Sequence, residues 1–195
     1  MEAEGCLVRI DELTVGPVQT RCYILYNENE EECIVIDPGD EPERIRKAAG
    51  SRRIAAILLT HGHFDHIGGV APLMTEGTRL VVHRLDEAML SDPDLNAGRG
   101  LLGRNITAPA PTDRVREGNE LTIAGLKIQV LHTPGHTPGS VCYLIGNELF
   151  TGDTLFEMGW GRTDLPGGSE HDMAASLRRV MPLARQYPIH PGHHA

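Results

Sequence analysis

Hydrophobic positions along the chain fall into short runs cut by polar and turn residues. Leu7 to Ile10 and Cys22 to Tyr26 read as β-strands, and Glu32 to Ile36 as a third. That third run meets the turn Asp37-Pro38-Gly39-Asp40, where Asp, Pro and Gly each favour a bend for their own backbone reason. Glu41 to Ala49 has a helical pattern, with Pro42 suited to the first turn and Gly50 to the stop. Ile54 to Leu59 is a continuous apolar run, which suits a strand buried on both faces. Gly68 to Thr75 is expected as a short helix, Arg79 to His83 as a strand and Leu85 to Leu90 as a helix. Asp92 to Pro111 reads as a loop-rich connection.

The second half has the same style. Glu120 to Ile123 and Leu126 to Leu131 are strands around Ala124-Gly125, and His132 to Ser140 is a Pro/Gly-rich loop. Val141 to Ile145 and Glu148 to Phe150 form a hairpin across Gly146-Asn147. Asp172 to Ala184 is a helix, and Ile189 belongs to a last short strand. Strands dominate both halves and helices are interspersed. The expected architecture is two packed sheets with helices outside, over residues 1–195 as one domain. No exact internal repeat is present.

Composition narrows the function. The 18 Lys and Arg against 27 Asp and Glu give a net charge of −9 without a polybasic cluster, which disfavours nucleic acid and membrane surfaces as partners. No apolar run approaches the roughly 20 residues that span a bilayer. The acidic start Met1-Glu2-Ala3-Glu4-Gly5 resembles neither a secretory nor a transit leader, so a cytoplasmic protein is expected. Cys6, Cys22, Cys33 and Cys142 form no CxxC pair and are expected as buried free thiols of a reducing compartment. Oligomeric state is not legible here.

Histidine is the unusual residue: ten are present, most of them in three groups. The sharpest string is Thr60-His61-Gly62-His63-Phe64-Asp65-His66, directly after the buried strand. In extended backbone, residues two apart point the same way, so His61 and His63 can face one metal. Asp65 and His66 follow as the chain turns, and can face a neighbouring one. Imidazole and carboxylate suit zinc, iron or manganese. Downstream, His136 lies between two Pro-Gly turns, Asp153 directly follows a strand, and His193 comes after Pro191-Gly192. Together these could complete two metal sites with a carboxylate between them, as two-metal hydrolysis requires.

The order HxHxDH, Thr-Pro-Gly-His, Gly-Asp-Thr and Pro-Gly-His resembles the metallo-β-lactamase fold superfamily across essentially the whole chain. The resemblance implies a four-layer αββα sandwich. It implies His61, His63 and His136 at a first metal, Asp65, His66 and His193 at a second, and Asp153 bridging them. Asp65 and Asp153 are then the catalytic carboxylates, and Asp37 orients a ligand unless it is a plain turn residue. Gly161-Arg162-Thr163-Asp164-Leu165-Pro166-Gly167-Gly168-Ser169 resembles small, single-domain glyoxalase II-like hydrolases. That implies two divalent ions, zinc first, with iron or manganese as alternatives. It further implies a small-molecule thioester such as S-2-hydroxyacylglutathione, attacked by a metal-bridging hydroxide. Full glyoxalase II proteins add a C-terminal helical domain that grips glutathione, and this chain stops at Ala195. Glutathione specificity is therefore not carried over.

Arg162 is the candidate for a substrate carboxylate, with pairing to Asp164 as the alternative. His190 and His194 are competitors for the place of His193. His83 and His132 are expected to be structural, and His171 solvated. A mononuclear iron persulfide dioxygenase held by His61, His136 and Asp153 is the alternative enzyme. A non-catalytic metal-binding domain is the alternative outside enzymes.

Overall fold

The computed structural model describes residues 8–27 and 31–194. Leu7 of the expected first strand, and Cys6, expected as a buried free thiol, lie outside the described residues. That strand, β1, runs Arg9–Val15, beyond the apolar run, and pairs antiparallel with β2 (Thr20–Tyr26) from Arg9↔Tyr26 to Val15↔Thr20. Asp11 and Glu12 are exposed on this edge strand, so the backbone ladder rather than hydrophobicity decides its extent. β2 pairs antiparallel with β3 (Glu32–Ile36). Parallel strands β4 (Arg53–Leu58), β5 (Arg79–His83) and β6 (Asp113–Val115) then extend the sheet in chain order.

The second sheet carries β7 (Glu120–Ile123), β8 (Leu126–His132), β9 (Val141–Ile145) and β10 (Glu148–Gly152) as antiparallel neighbours. β11 (Ile189–Pro191) joins its far edge, parallel to β10. The hairpin across Gly146-Asn147 is present, with Ile145 opposite Glu148 and Gly146 in the left-handed region at φ 60°.

Strand alternation builds three apolar layers. Tyr23, Leu25, Ile34, Ile36, Ala56 and Leu58 face inward to meet Ile128, Val130, Val141, Tyr143 and Phe150 of the second sheet. Their sequence neighbours Cys22, Ile24, Cys33, Val35 and Ile57 face outward onto Ile45 and Ala49 of α1 (Pro42–Ala49), and onto Ile67, Val70 and Leu73. On the other side, Cys142 and Leu149 pack on Val180 and Leu183 of α5 (Glu170–Ala184). The result is the helix–sheet–sheet–helix order expected. A continuous apolar run in the central strands is its signature, because both faces are covered.

Several local expectations are corrected. The helix expected over Gly68 to Thr75 is the shorter α3 (Val70–Leu73), and a separate four-residue helix, α2 (Phe64–Ile67), precedes it. Between them, a Cβ on Gly68 or Gly69 would collide with the Gly39 or Pro38 carbonyl oxygen. Glu87–Leu90 is a 3-10 turn rather than an α-helix. The loop after it contains α4 (Gly98–Leu102), closed by Gly103 in the left-handed region. Strand β6 was not expected; its three residues are too few to show a period. No helix among the described residues is long and apolar enough to cross a membrane.

Candidate metal centre

The residues singled out above converge where strand ends from both sheets meet. β4 delivers Thr60 and His61, and α2 carries Asp65 and His66. The β8–β9 loop delivers His136, the end of β10 delivers Asp153, and β11 delivers His193. Ligand-type atoms of His61, His63 and His136 lie within 4.8 Å of one another, as do those of Asp65, His66 and His193, and those of His61, His66 and Asp153. Asp153 stands between the groups: its Oδ2 is 3.4 Å from His136 Nε2 and 3.5 Å from His193 Nε2, and its Oδ1 is 3.5 Å from His66 Nε2. His63 Nδ1 faces His136 Nε2 at 2.9 Å, and His193 Nε2 faces Asp65 Oδ2 at 3.1 Å.

The local backbone explains this convergence. Gly152 takes φ 49°, and Thr60 fills the space where its Cβ would lie. Pro191 is held by the Tyr23 hydroxyl, which donates to its carbonyl at 2.7 Å. The Gly192 N–H donates to the Gly152 carbonyl at 2.8 Å, and a Cβ on Gly192 would collide with Asp153 Oδ1. Gly is therefore required before His193 by close approach to the bridging carboxylate.

Three supports orient the rings. Asp37, in the left-handed region at φ 49°, accepts from the Thr60 N–H at 2.8 Å and from its hydroxyl at 2.6 Å, and lies 2.9 Å from His66 Nδ1. It is thus more than a turn residue: it aims His66 Nε2 at the cluster. The Arg162 carbonyl lies 2.7 Å from His136 Nδ1, leaving Nε2 to face inward. The third support, Asp86, was missed. This buried carboxylate accepts from the Gly62 N–H at 3.0 Å, the Gly139 N–H at 2.6 Å and the Thr137 hydroxyl at 2.7 Å. It ties the His61/His63 loop to the His136 loop. Its sequence context, Arg84-Leu85-Asp86-Glu87, has no motif; burial alone would have found it.

Electrostatics distinguish the two halves. Burial, then neighbouring imidazoles, push His61 and His63 well below the usual histidine range, so they are neutral with free lone pairs. At His66 burial again opposes charge, yet Asp65, Asp37 and Asp153 raise it to about 10. Asp65 is partly buried, and although desolvation opposes its charge, His66 and His193 hold it below the usual carboxylate range. Protons there do the work that a cation would do. His61 Nε2, His63 Nε2 and Asp153 Oδ1 are buried without hydrogen-bond partners. Orphaned acceptors around carboxylates are costly unless a cation satisfies them, so the donor set fits divalent metal.

The competitors are engaged elsewhere. His190 pairs with Glu148 at 2.7 Å and stacks on Phe150, and His194 lies 3.6 Å from Glu12. His83 and His132 stack on each other at 4.0 Å, away from the cluster. His171 is exposed, beside Asp172. Cys22, Cys33 and Cys142 are buried free thiols, and burial pushes Cys33 and Cys142 up to about 11. Arg162 lines the cleft above the cluster, but its exposed guanidinium is held by Asp164 at 2.6 and 2.7 Å. The alternative pairing, with Asp164, is the one observed. The cleft itself is a cavity of about 260 Å³ whose walls include Val18, Phe64, Leu101, Phe156 and Leu165.

Comparison with known proteins agrees with this geometry. The family model described as metallo-beta-lactamase superfamily matches residues 15–193. The chain is 35% identical over 188 residues to the probable metallo-hydrolase YqgX of Bacillus subtilis (strain 168), covering 93% of this chain and 88% of that one. It is 34% identical over 196 residues to hydroxyacylglutathione hydrolase GloC of Haemophilus influenzae, covering 95% and 91%. Among solved structures, BLEG-1 B3 metallo-beta-lactamase superposes with a TM-score of 0.91 at 36% identity, covering 96% of this chain and 92% of that one. TTHA1623 in a di-iron-bound form superposes with a TM-score of 0.83 at 39% identity, covering 95% and 92%.

Proposed function

Because this chain belongs to the metallo-beta-lactamase superfamily, whose fold binds divalent metals, we propose that it is a dinuclear, glyoxalase II-like thioesterase. The observation that carries this reading is the position of Asp153, within 3.5 Å of donors from both histidine groups. Seven donors exceed what one tetrahedral ion can use. We assign His61, His63 and His136 to one ion, Asp65, His66 and His193 to the other, and Asp153 to both. Zinc is the ion this imidazole-rich set suits first, with iron or manganese next; TTHA1623 is described as di-iron-bound.

Divalent ions held there supply a Lewis acid for the carbonyl and a nucleophile from water at neutral pH. The chain's own part is positional. Asp37, Asp86 and the Arg162 carbonyl keep the rings aimed, so little reorganisation accompanies reaction. The apolar walls exclude bulk water and leave the carbonyl of a bound ester over the cluster. A thiolate leaves with little protonation, so no general acid is required. Similarity to GloC, a hydroxyacylglutathione hydrolase, supports S-2-hydroxyacylglutathione as a first test substrate.

Elemental analysis of the purified protein, with a thioester assay on the same sample, tests the reading. About two divalent ions per chain and turnover lost on chelation are expected. One iron, no zinc and oxygen consumption on a persulfide would replace it with the dioxygenase. Bound metal with no turnover of either substrate would leave the non-catalytic reading.

A further inference from the structure

Resting on the thioester reading, we propose that Arg104 is a specificity residue that binds a carboxylate carried by the substrate, so that anionic thioesters are the preferred class. The cleft above the cluster has mostly apolar walls, and its own cation, Arg162, is already engaged by Asp164. A small groove of about 20 Å³ adjoins it. The two share Val18, Phe64 and Asp65, and Leu102 and Arg104 line the smaller one.

Arginines of this acidic chain are commonly tied to carboxylates. Arg21 is held by Glu12 and Glu157, Arg44 by Glu41, and Arg99 by Asp94. Arg104 is exposed and makes no ion pair among the described residues, although it lines a groove that opens on the candidate centre. Its backbone is fixed: Gly103 turns the chain at φ 64°, and the Arg104 N–H donates to the Gly98 carbonyl at 3.3 Å. Backbone anchored in this way leaves only the side chain's own rotamer freedom to be lost on binding a carboxylate.

Asp40 lines the same groove, with its Oδ1 accepting from the Glu41 N–H at 2.7 Å. The chain's net charge of −9 repels anions at long range. A cation at short range offsets that repulsion locally, and Arg104 is placed to be that group. The hydrocarbon between carbonyl and carboxylate lies against Val18, Phe64 and Leu102.

The carboxylate can belong to the acyl half or the thiol half, and three thioesters separate these. S-butanoyl-N-acetylcysteamine is neutral, S-succinyl-N-acetylcysteamine is charged on the acyl side, and S-butanoyl-mercaptopropionate is charged on the thiol side. With metal content matched, one charged substrate is expected to exceed the neutral one in kcat/KM by roughly ten- to a hundredfold, mainly through KM. Arg104→Gln should bring that ratio close to one, and Arg104→Lys should restore part of it. The proposal is overturned if Arg104→Gln leaves both ratios unchanged, or if Arg162→Gln collapses them instead. If the metal-loaded wild type hydrolyses no thioester, the thioesterase reading fails. Arg104 is then judged by calorimetric binding of succinate against butanoate, and of mercaptopropionate against mercaptoethanol. Selective loss of carboxylate binding in Arg104→Gln keeps the site; equal affinities in both proteins remove it.

Discussion

Asp86→Ala is the most informative perturbation of the centre, because Asp86 is no ligand yet touches both ligand loops. Its carboxylate accepts from Gly62 N–H, Gly139 N–H and the Thr137 hydroxyl at 2.6 to 3.0 Å. Hydrogen bonds to a charged group contribute about 1.5–3 kcal/mol each, so three amount to roughly 4.5–9 kcal/mol before desolvation. Desolvation is substantial: burial raises this carboxyl above the usual range, against the pull of its donors. Removing the carboxylate strands neutral donors at about 1–3 kcal/mol each but also removes its own desolvation cost, and we expect a net loss of about 3–5 kcal/mol. For a chain this long, the melting temperature should fall by about 6–20 °C. Asn is a poor substitute. Its oxygen can serve one backbone N–H, but its NH₂ then faces the other N–H. Asp86→Asn should therefore recover less than half of the loss.

Thermal unfolding of both variants, with and without metal, reads the effect. The metal-free loss measures loop anchoring, and any further loss in the loaded protein measures weakened metal binding by linkage. Asp86→Ala with a melting temperature within about 2 °C of wild type and unchanged metal affinity would refute the reasoning.

Further predictions can be checked by separate measurements. Asp153→Ala should abolish hydrolysis, several orders of magnitude in kcat, and lower metal content; retained stoichiometry with retained rate would show that Asp153 is not shared. Gly192→Ala should reduce metal content more than Gly118→Ala does, since its Cβ would meet Asp153 Oδ1 while that at Gly118 meets nothing within 4 Å. Burial, then His132, hold His83 down to about 4, whereas an unfolded histidine titrates near ~6.5. Between these values the unfolded chain binds the extra proton, so stability falls as pH drops from about 6.5 to about 4. His83→Gln should lose less stability than wild type between pH ~7.5 and ~4.5 in urea titrations; equal losses would clear His83 of the effect.

Much of this protein follows from local sequence. The central strands are apolar at every position because helices cover one face and a sheet the other, and Ile54 to Leu59 shows that without any contact known. His61 and His63 are two apart on extended backbone, so their shared direction is a property of the chain itself. Gly146-Asn147 specifies its hairpin through positive φ. What local sequence cannot determine is any pairing made by closure of the two sheets. Asp86 is ordinary in sequence and becomes a clamp only when the β8–β9 loop folds onto it, 53 residues away. Asp37 reads as a turn until Thr60 and His66 arrive at its oxygens. Arg162 has its partner Asp164 two residues away in the chain, so that pairing is legible locally. The place of Arg104 beside the groove is not, because the groove is lined by residues distant in sequence, Val15 to Val18, Gly39, Asp40 and Phe64, which only the tertiary fold brings to it.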